Sequence, residues 1–409
     1  MKTVGVIVEY NPLHNGHVYH LNEAKALTGA DRIIAVMSGP FLQRGEPAIL
    51  SKSARAEMAL LAGADLVLEL PAAYAVQPAE WFAYGAVALL HATGAVDALC
   101  FGSESGEIAP LRQLAALLAA EPPALKDGIA VQLAAGASYP AAYAAAAAGL
   151  TGADEPGTSA LLSQPNNTLG LHYLIALERL RSPIEAHTIA RTGAGYHDEA
   201  APAEGAIASA TAVRRLLLQG GPEAAAPYVP AAALGILRRE WAAGRAPVQW
   251  EAFSQPLLNA LVTRSPQELA ALQEVTEGLE HRVRRSLHQL PEPSVEALLA
   301  ALKTRRYTRT KLQRMLCHIL LNHRKADLAP DRLRKGPGYL RVLGSSAAGR
   351  ELLKRMKKTA SLPIIVKPSS FEHPQLELDL AAAIVHAGGM PEPRTAELYR
   401  DYLQPPVMI

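Results

Sequence analysis

Two cysteines among 409 residues, Cys100 and Cys317, are too few and too far apart for a disulfide framework. That scarcity fits a reducing compartment, so the cytoplasm is the expected location. No apolar stretch with membrane character reaches the ~18 residues that a spanning helix needs, and the Ala-rich tract at 141–148 reads as helix filler. No membrane association is expected. Met1-Lys2-Thr3 leads straight into an apolar run, and no signal peptide is expected. There is no internal repeat and no sustained heptad pattern, which excludes solenoids and coiled coils. The histidines have no third ligand cluster beside them, so no metal-ligating set is expected. Nothing implies a protein partner.

What is present is generous in apolar residues: 49% hydrophobic against 19% charged, with length for two or three domains. The net charge of +2 conceals a strong division. Residues 281–358 carry 20 Lys and Arg against 5 Asp and Glu, or +15, while the remainder carries 20 against 33, or −13. Such a concentration favours a polyanion, because each basic side chain set on a phosphate releases counterions. Nucleic acid leads, against the blander reading of a solvated helical surface.

Strand and helix signals alternate over the first half. Strands are expected at 3–9, 32–37, 65–70, 98–101 and 185–190, with helices at 17–27, 52–61, 80–92, 167–180 and 209–219 and a helical stretch at 108–150. This rhythm predicts an α/β fold, a Rossmann-like doubly wound parallel sheet. Downstream, apolar residues recur at helical spacing from 231 to 321, with breaks expected at Pro256, Pro266 and Pro291. A late strand at 362–367 and a last helix at 376–386 follow. The expected division is 1–221 and a mostly α-helical, basic 231–409, with 222–230 as the linker.

The most informative feature is His14-Asn15-Gly16-His17, at the carboxyl end of the first strand. Gly16 lets backbone approach a ligand, and the amides opening the next helix favour phosphate. Two imidazoles there can donate to α-phosphate oxygens as charge builds in a displacement, which points to chemistry on ATP. Ser209-Ala210-Thr211-Ala212-Val213-Arg214 opens a later helix, with hydroxyls, free amides and an arginine suited to departing pyrophosphate. Taken singly, either segment reads equally well as a polar turn or a capped helix.

Together the two segments resemble the signature pair of the nucleotidyltransferase superfamily. More narrowly, Val8-Glu9-Tyr10-Asn11-Pro12-Leu13-His14-Asn15-Gly16-His17, the stretches at 38–48 and 63–71, and Tyr307-Thr308-Arg309-Thr310-Lys311-Leu312-Gln313-Arg314 resemble the bacterial tRNA(Met) cytidine acetate ligase family. The resemblance implies an ATP-dependent ligase. It would form acetyl-adenylate from acetate and ATP, then acetylate the exocyclic amine of the wobble cytidine of elongator tRNA(Met), giving N4-acetylcytidine, AMP and pyrophosphate.

By the same resemblance, Ile7, Val8, Glu9, Tyr10, Asn11, Pro12, Leu13, His14, Asn15, Gly16, His17, Val18, Tyr19 and His20 line the ATP site. Gly102, Asn167 (or its neighbour Asn166), Arg191, Ser209, Thr211 and Arg214 complete it. His172 and Ile175 stand where Glu and Lys are expected. His14 and His17 are the catalytic pair, and Mg2+ is expected on the phosphates. Arg305, Arg306, Tyr307, Arg309, Lys311 and Arg314, with Lys354, Arg355, Lys357 and Lys358, are the tRNA-binding candidates. Leu312, Met315, Leu316 and Ile319 mark the other face of the first segment as core. No residue is singled out as general base for the transfer; Glu46 and Lys52 are candidate helpers. The rivals are a small-molecule adenylyltransferase of the superfamily, generally much shorter, and a noncatalytic RNA-binding protein, which would not need the histidines.

Overall fold

The structure, a computed structural model, describes residues 1–150, 161–190 and 207–409. Its centre is a sheet of β1 (Thr3–Val8), β2 (Arg32–Ser38), β3 (Leu66–Leu70), β4 (Ala98–Ser103), β5 (Glu185–Ala190), β6 (Leu340–Ser345) and β7 (Ile364–Ile365), with β8 (Val407–Met408) also on β6. The strand order is β5-β4-β1-β2-β3-β6-β7. The first five strands run parallel, and β6 is antiparallel to β3.

Alternation along β2 explains why the strands read as continuous apolar runs. Ile34 and Val36 enter the core under helices Ala79–Ala92 and Pro165–Arg179, whereas Ile33, Ala35 and Met37 enter the opposite core under helices Asn15–Thr28 and Lys52–Leu61. A strand covered on both faces has no polar side to show. Each fully buried Ile or Val contributes about 1.5–3 kcal/mol relative to exposure. A third core, built on Leu257, Leu261, Leu298, Leu312 and Leu316, holds the helices between Ser254 and Leu320 together.

The expected helical stretch at 108–150 is present as three helices, Ile108–Ala119, Pro123–Ala134 and Tyr139–Leu150. Other expectations need correction. Pro256 does not break a helix: it lies in the first turn of Ser254–Thr263, where a missing N–H costs no bond. The stretch at 222–230 is packed rather than loose, with Ala225, Tyr228 and Val229 buried in the core under helix Ala210–Ala225. That helix kinks at Gly221, whose φ is +69°. The late strand is only Ile364–Ile365, and β6, not expected from the sequence, brings residues 340–345 into the same sheet as the first half.

A closed ring of alternating charge fastens this join. Lys52 Nζ lies 2.8 Å from Glu69 and 2.7 Å from Asp401, and Arg341 lies 3.1 Å from each of the same carboxylates. All four side chains are at most 14% exposed, so the two cations and two anions neutralise one another out of water.

Candidate active site

β1 lies between β4 and β2, the switch point where open α/β sheets bind ligands at the strands' carboxyl ends. A cavity of about 550 Å³ opens there, lined from β1 by Ile7, Val8, Glu9, Tyr10 and Asn11. Past β1, Tyr10 takes φ +50°, a left-handed conformation costing a non-glycine residue about 1–3 kcal/mol. Its buried ring meets the His17 ring edge-on at 5.0 Å. Asn11 Oδ1 accepts from Ile49 N at 2.8 Å. Beneath the turn, the fully buried Arg55 donates to the carbonyls of Glu9, Ser38, Gly39 and Leu50, fastening the exits of β1 and β2 together. Burial pulls its guanidinium down to about 10.

The two histidines are held by one device. His14 caps helix Asn15–Thr28: its Nδ1 accepts from Gly16 N at 3.1 Å, and His17 Nδ1 accepts from His14 N at 3.2 Å. The rings are tilted by 35° with centroids 3.8 Å apart. Because each Nδ1 is an acceptor, a neutral ring carries its proton on Nε2 and presents it as a donor. Gly16 is required sterically, since a Cβ there would stand 2.9 Å from His14 Cε1 and 2.8 Å from Ile207.

On the facing wall, Ser209 caps helix Ala210–Ala225 by accepting from Ala212 N at 3.1 Å. Arg214 donates to Thr211 Oγ1 at 3.3 Å and to the Asn11 carbonyl at 3.0 Å, which ties this helix to the histidine turn. Ser209, Thr211, Arg214, His14 and His17 thus border one cavity. A helix N-terminus, an arginine and two imidazole donors form a strong anion-binding set.

Of the remaining expected residues, Gly16, Tyr19, His20 and Gly102 also line the cavity. Pro12 and Leu13 are buried behind the turn, Val18 packs against the core, and Asn15 donates to the Pro227 carbonyl. Asn167 is fully buried: its Oδ1 accepts from Glu104 N and Ser105 N, so it shapes the loop after β4, while Asn166 lines the cavity. Arg191 lies outside the described residues. His172 and Ile175 are core residues, and burial lowers the His172 imidazole to about 4. Lys52 sits inside the charge ring, away from the cavity, whereas Glu46 lines it and accepts from Gln313 at 3.1 Å. Among the described residues no group of His, Cys, Asp and Glu forms a metal site.

The basic segments lie at opposite poles. Helix Arg309–Leu320 abuts the cavity rim: Gly45, with φ +79°, leaves no room for a Cβ beside the Arg314 backbone. There Arg306 pairs with Glu277 at 2.6 Å, Arg309 with Glu296, and Arg314 with Glu274 at 2.8 Å, while Lys311 donates to the Glu274 carbonyl and Tyr307 to that of Glu277. Arg305 is exposed. Helix Ala347–Thr359 instead spans the strands' amino ends: Ser346 N donates to the Asp65 carbonyl, Ser361 N to Ala92, and Arg355 to Met1. Lys354, Lys357 and Lys358 are exposed there. Six-residue strands place this face about 20 Å from the cavity.

Sequence reasoning missed Arg55, Gln43 and Arg44 as individual site residues, none of which lies in a recognisable spacing; Gln43 and Arg44 line the cavity.

Comparison with known proteins agrees with this geometry. The family model described as HIGH Nucleotidyl Transferase matches residues 1–399. A protein of Bacillus subtilis (strain 168) named tRNA(Met) cytidine acetate ligase is 42% identical over 413 residues, covering 100% of this chain and 97% of the relative. Its namesake in Geobacillus sp. (strain WCH70) is 42% identical over the whole of both chains. The crystal structure of Thermotoga maritima TmcAL bound with alpha-thio ATP superposes with a TM-score of 0.90 at 34% identity, and the apo form with 0.92 at 35%, each covering 100% of both chains. With two imidazole donors and a capped, arginine-bearing helix around one anion-binding cavity, the chain belongs to the HIGH nucleotidyl transferases and, within them, to the tRNA(Met) cytidine acetate ligase family.

Proposed function

We propose that this protein is an ATP-dependent ligase that activates acetate as acetyl-adenylate and acetylates the wobble cytidine of elongator tRNA(Met). The observation that carries the reading is the pairing of the Nε2 donors of His14 and His17 with Ser209, Thr211 and Arg214 across one cavity. An acetate oxygen attacks the α-phosphorus in line, the imidazoles stabilise charge on its oxygens, and Ser209, Thr211 and Arg214 receive pyrophosphate. The cytidine amine then attacks the acetyl carbonyl and AMP leaves.

Mg2+ fits this site through the phosphates rather than through a protein cage, since the cavity's described carboxylates are Glu9 and Glu46 alone. When bound it neutralises charge on the departing pyrophosphate.

Residues 1–221 serve as the catalytic part and 231–409 as the tRNA-binding part. The segment Arg305–Arg314 stands on the rim side and meets RNA near the reacting base, with the arginine forks exchanging carboxylates for phosphates. Lys354, Arg355, Lys357 and Lys358, at the far pole, meet a part of the tRNA remote from that base. A soluble cytoplasmic setting fits both substrates, and no described helix is long and apolar enough to cross a membrane.

Mass spectrometry of tRNA(Met) incubated with the protein, ATP and isotopically labelled acetate tests the reading. Label on cytidine is the expected result; ATP turnover indifferent to tRNA would favour a small-molecule adenylyltransferase.

A further inference from the structure

The transfer step needs a group to take a proton from the cytidine amine, and most polar groups in the cavity cannot do so. His14 and His17 each accept a backbone N–H at Nδ1, which leaves Nε2 protonated in the neutral ring. The hydroxyls of Tyr10 and Tyr173 are held protonated by burial. His20 belongs to helix Asn15–Thr28, which packs more on β4 and β5 than on β2.

Among the described residues that line the cavity two carboxylates remain, and they differ. Glu46 stands at the rim with its Oε1 held by Gln313. Glu9, at the exit of β1, faces the β2 side of the cavity. Its Oε1 accepts from Gln43 N at 2.8 Å and from Ser38 Oγ at 3.3 Å, and Oε2 takes part in neither bond. The residue is half-buried and lines the cavity, so its contact with solvent runs through the substrate space. Burial raises its carboxyl above the ordinary range, against the opposing pull of Gln43 N, Arg44 and Arg55. A carboxylate anchored through one oxygen and bordering the substrate space, its second oxygen outside both of those bonds, suits a base for an incoming amine.

We propose that Glu9 is a catalytic residue of the transfer step, its Oε2 accepting the proton of the cytidine exocyclic amine on the β2 side of the cavity. This rests on the ligase reading above. The amine nitrogen forms a bond to the acetyl carbonyl carbon, the bond from that carbon to the phosphate oxygen breaks, and AMP departs with the electron pair. The proton lost from the nitrogen passes to Glu9.

Separating the two half-reactions tests this. Glu9→Gln keeps an oxygen for Gln43 N and Ser38 Oγ but cannot accept a proton. Acetate-dependent ATP–pyrophosphate exchange reads the first step, and single-turnover transfer of labelled acetyl from preformed acetyl-adenylate to tRNA(Met) reads the second. Transfer is expected to fall by about 100-fold or more, as for loss of a general base, and by at least about tenfold more than exchange. Glu9→Asp should recover part of it. Equal losses in both steps, or transfer kept by Glu9→Gln and lost in Glu46→Gln, would overturn the assignment. Wild-type protein that labels no cytidine would remove the ligase reading itself, and this proposal with it.

Discussion

Substituting His17 separates two tasks that one imidazole performs. Its Nδ1 accepts the His14 N–H and completes the cap, while Nε2 is assigned to the phosphate. An asparagine places its Oδ1 near the position of Nδ1, so His17→Asn keeps the cap and removes the donor. Losing one preorganised donor to a developing oxyanion costs ~10²–10³ in rate, about 2.7–4 kcal/mol. Losing a helix cap costs about 0.5–2 kcal/mol of stability, which His17→Ala adds to the first loss. Acetate-dependent pyrophosphate exchange should therefore fall ~10²–10³-fold in His17→Asn with its urea midpoint nearly unchanged. In His17→Ala the rate should fall similarly and the midpoint should drop as well, while tRNA affinity stays nearly intact in both. An active His17→Asn beside an inactive His17→Ala would show that the ring serves only to shape the turn.

Three further outcomes follow from the same geometry. Lys52→Met opens the charge ring and leaves Glu69 and Asp401 sharing Arg341, at a cost of about 3 kcal/mol; a loss below ~1 kcal/mol in urea unfolding would show that the ring contributes little. Asp379 accepts from Ala72 N and Tyr339 Oη, and burial raises its carboxyl to about 7. Its folded form thus holds a proton that the unfolded chain releases near pH 4, so its contribution to stability falls as pH rises from about 4 to 7. Asp379→Asn should gain stability relative to wild type between pH 4.5 and 8; a constant difference in urea midpoints would contradict this. Replacing Arg305, Arg306 and Arg309 by Glu should weaken tRNA binding and flatten its salt dependence, and an unchanged slope in filter binding would make that face structural.

The parallel half was legible because its strands are covered on both faces, so hydrophobicity alone marks them: β5 falls on the expected residues, and the other four parallel strands lie within two residues of them. The histidine turn was legible for a related reason, since a strand exit, a glycine and a capped helix follow one another in the chain. β6 escaped because Arg341, at its second position, interrupts the apolar pattern, and only Glu69 and Asp401 from distant segments make that charge acceptable inside. Pro256 misled for a local reason, as sequence does not say in which turn of a helix a proline will fall. Arg55 escaped because its partners are main-chain carbonyls, which leave no trace in side-chain spacing.

The quartet of Lys52, Glu69, Arg341 and Asp401 also bears on biosynthesis. Its members emerge from the ribosome in two instalments, Lys52 and Glu69 early, Arg341 and Asp401 more than 270 residues later. A nascent chain halted at residue 221 has β3 as a bare sheet margin and one ion pair where the finished molecule has four contacts. Such a fragment should adhere to chaperones or to other copies until translation delivers the missing strand and counter-charges.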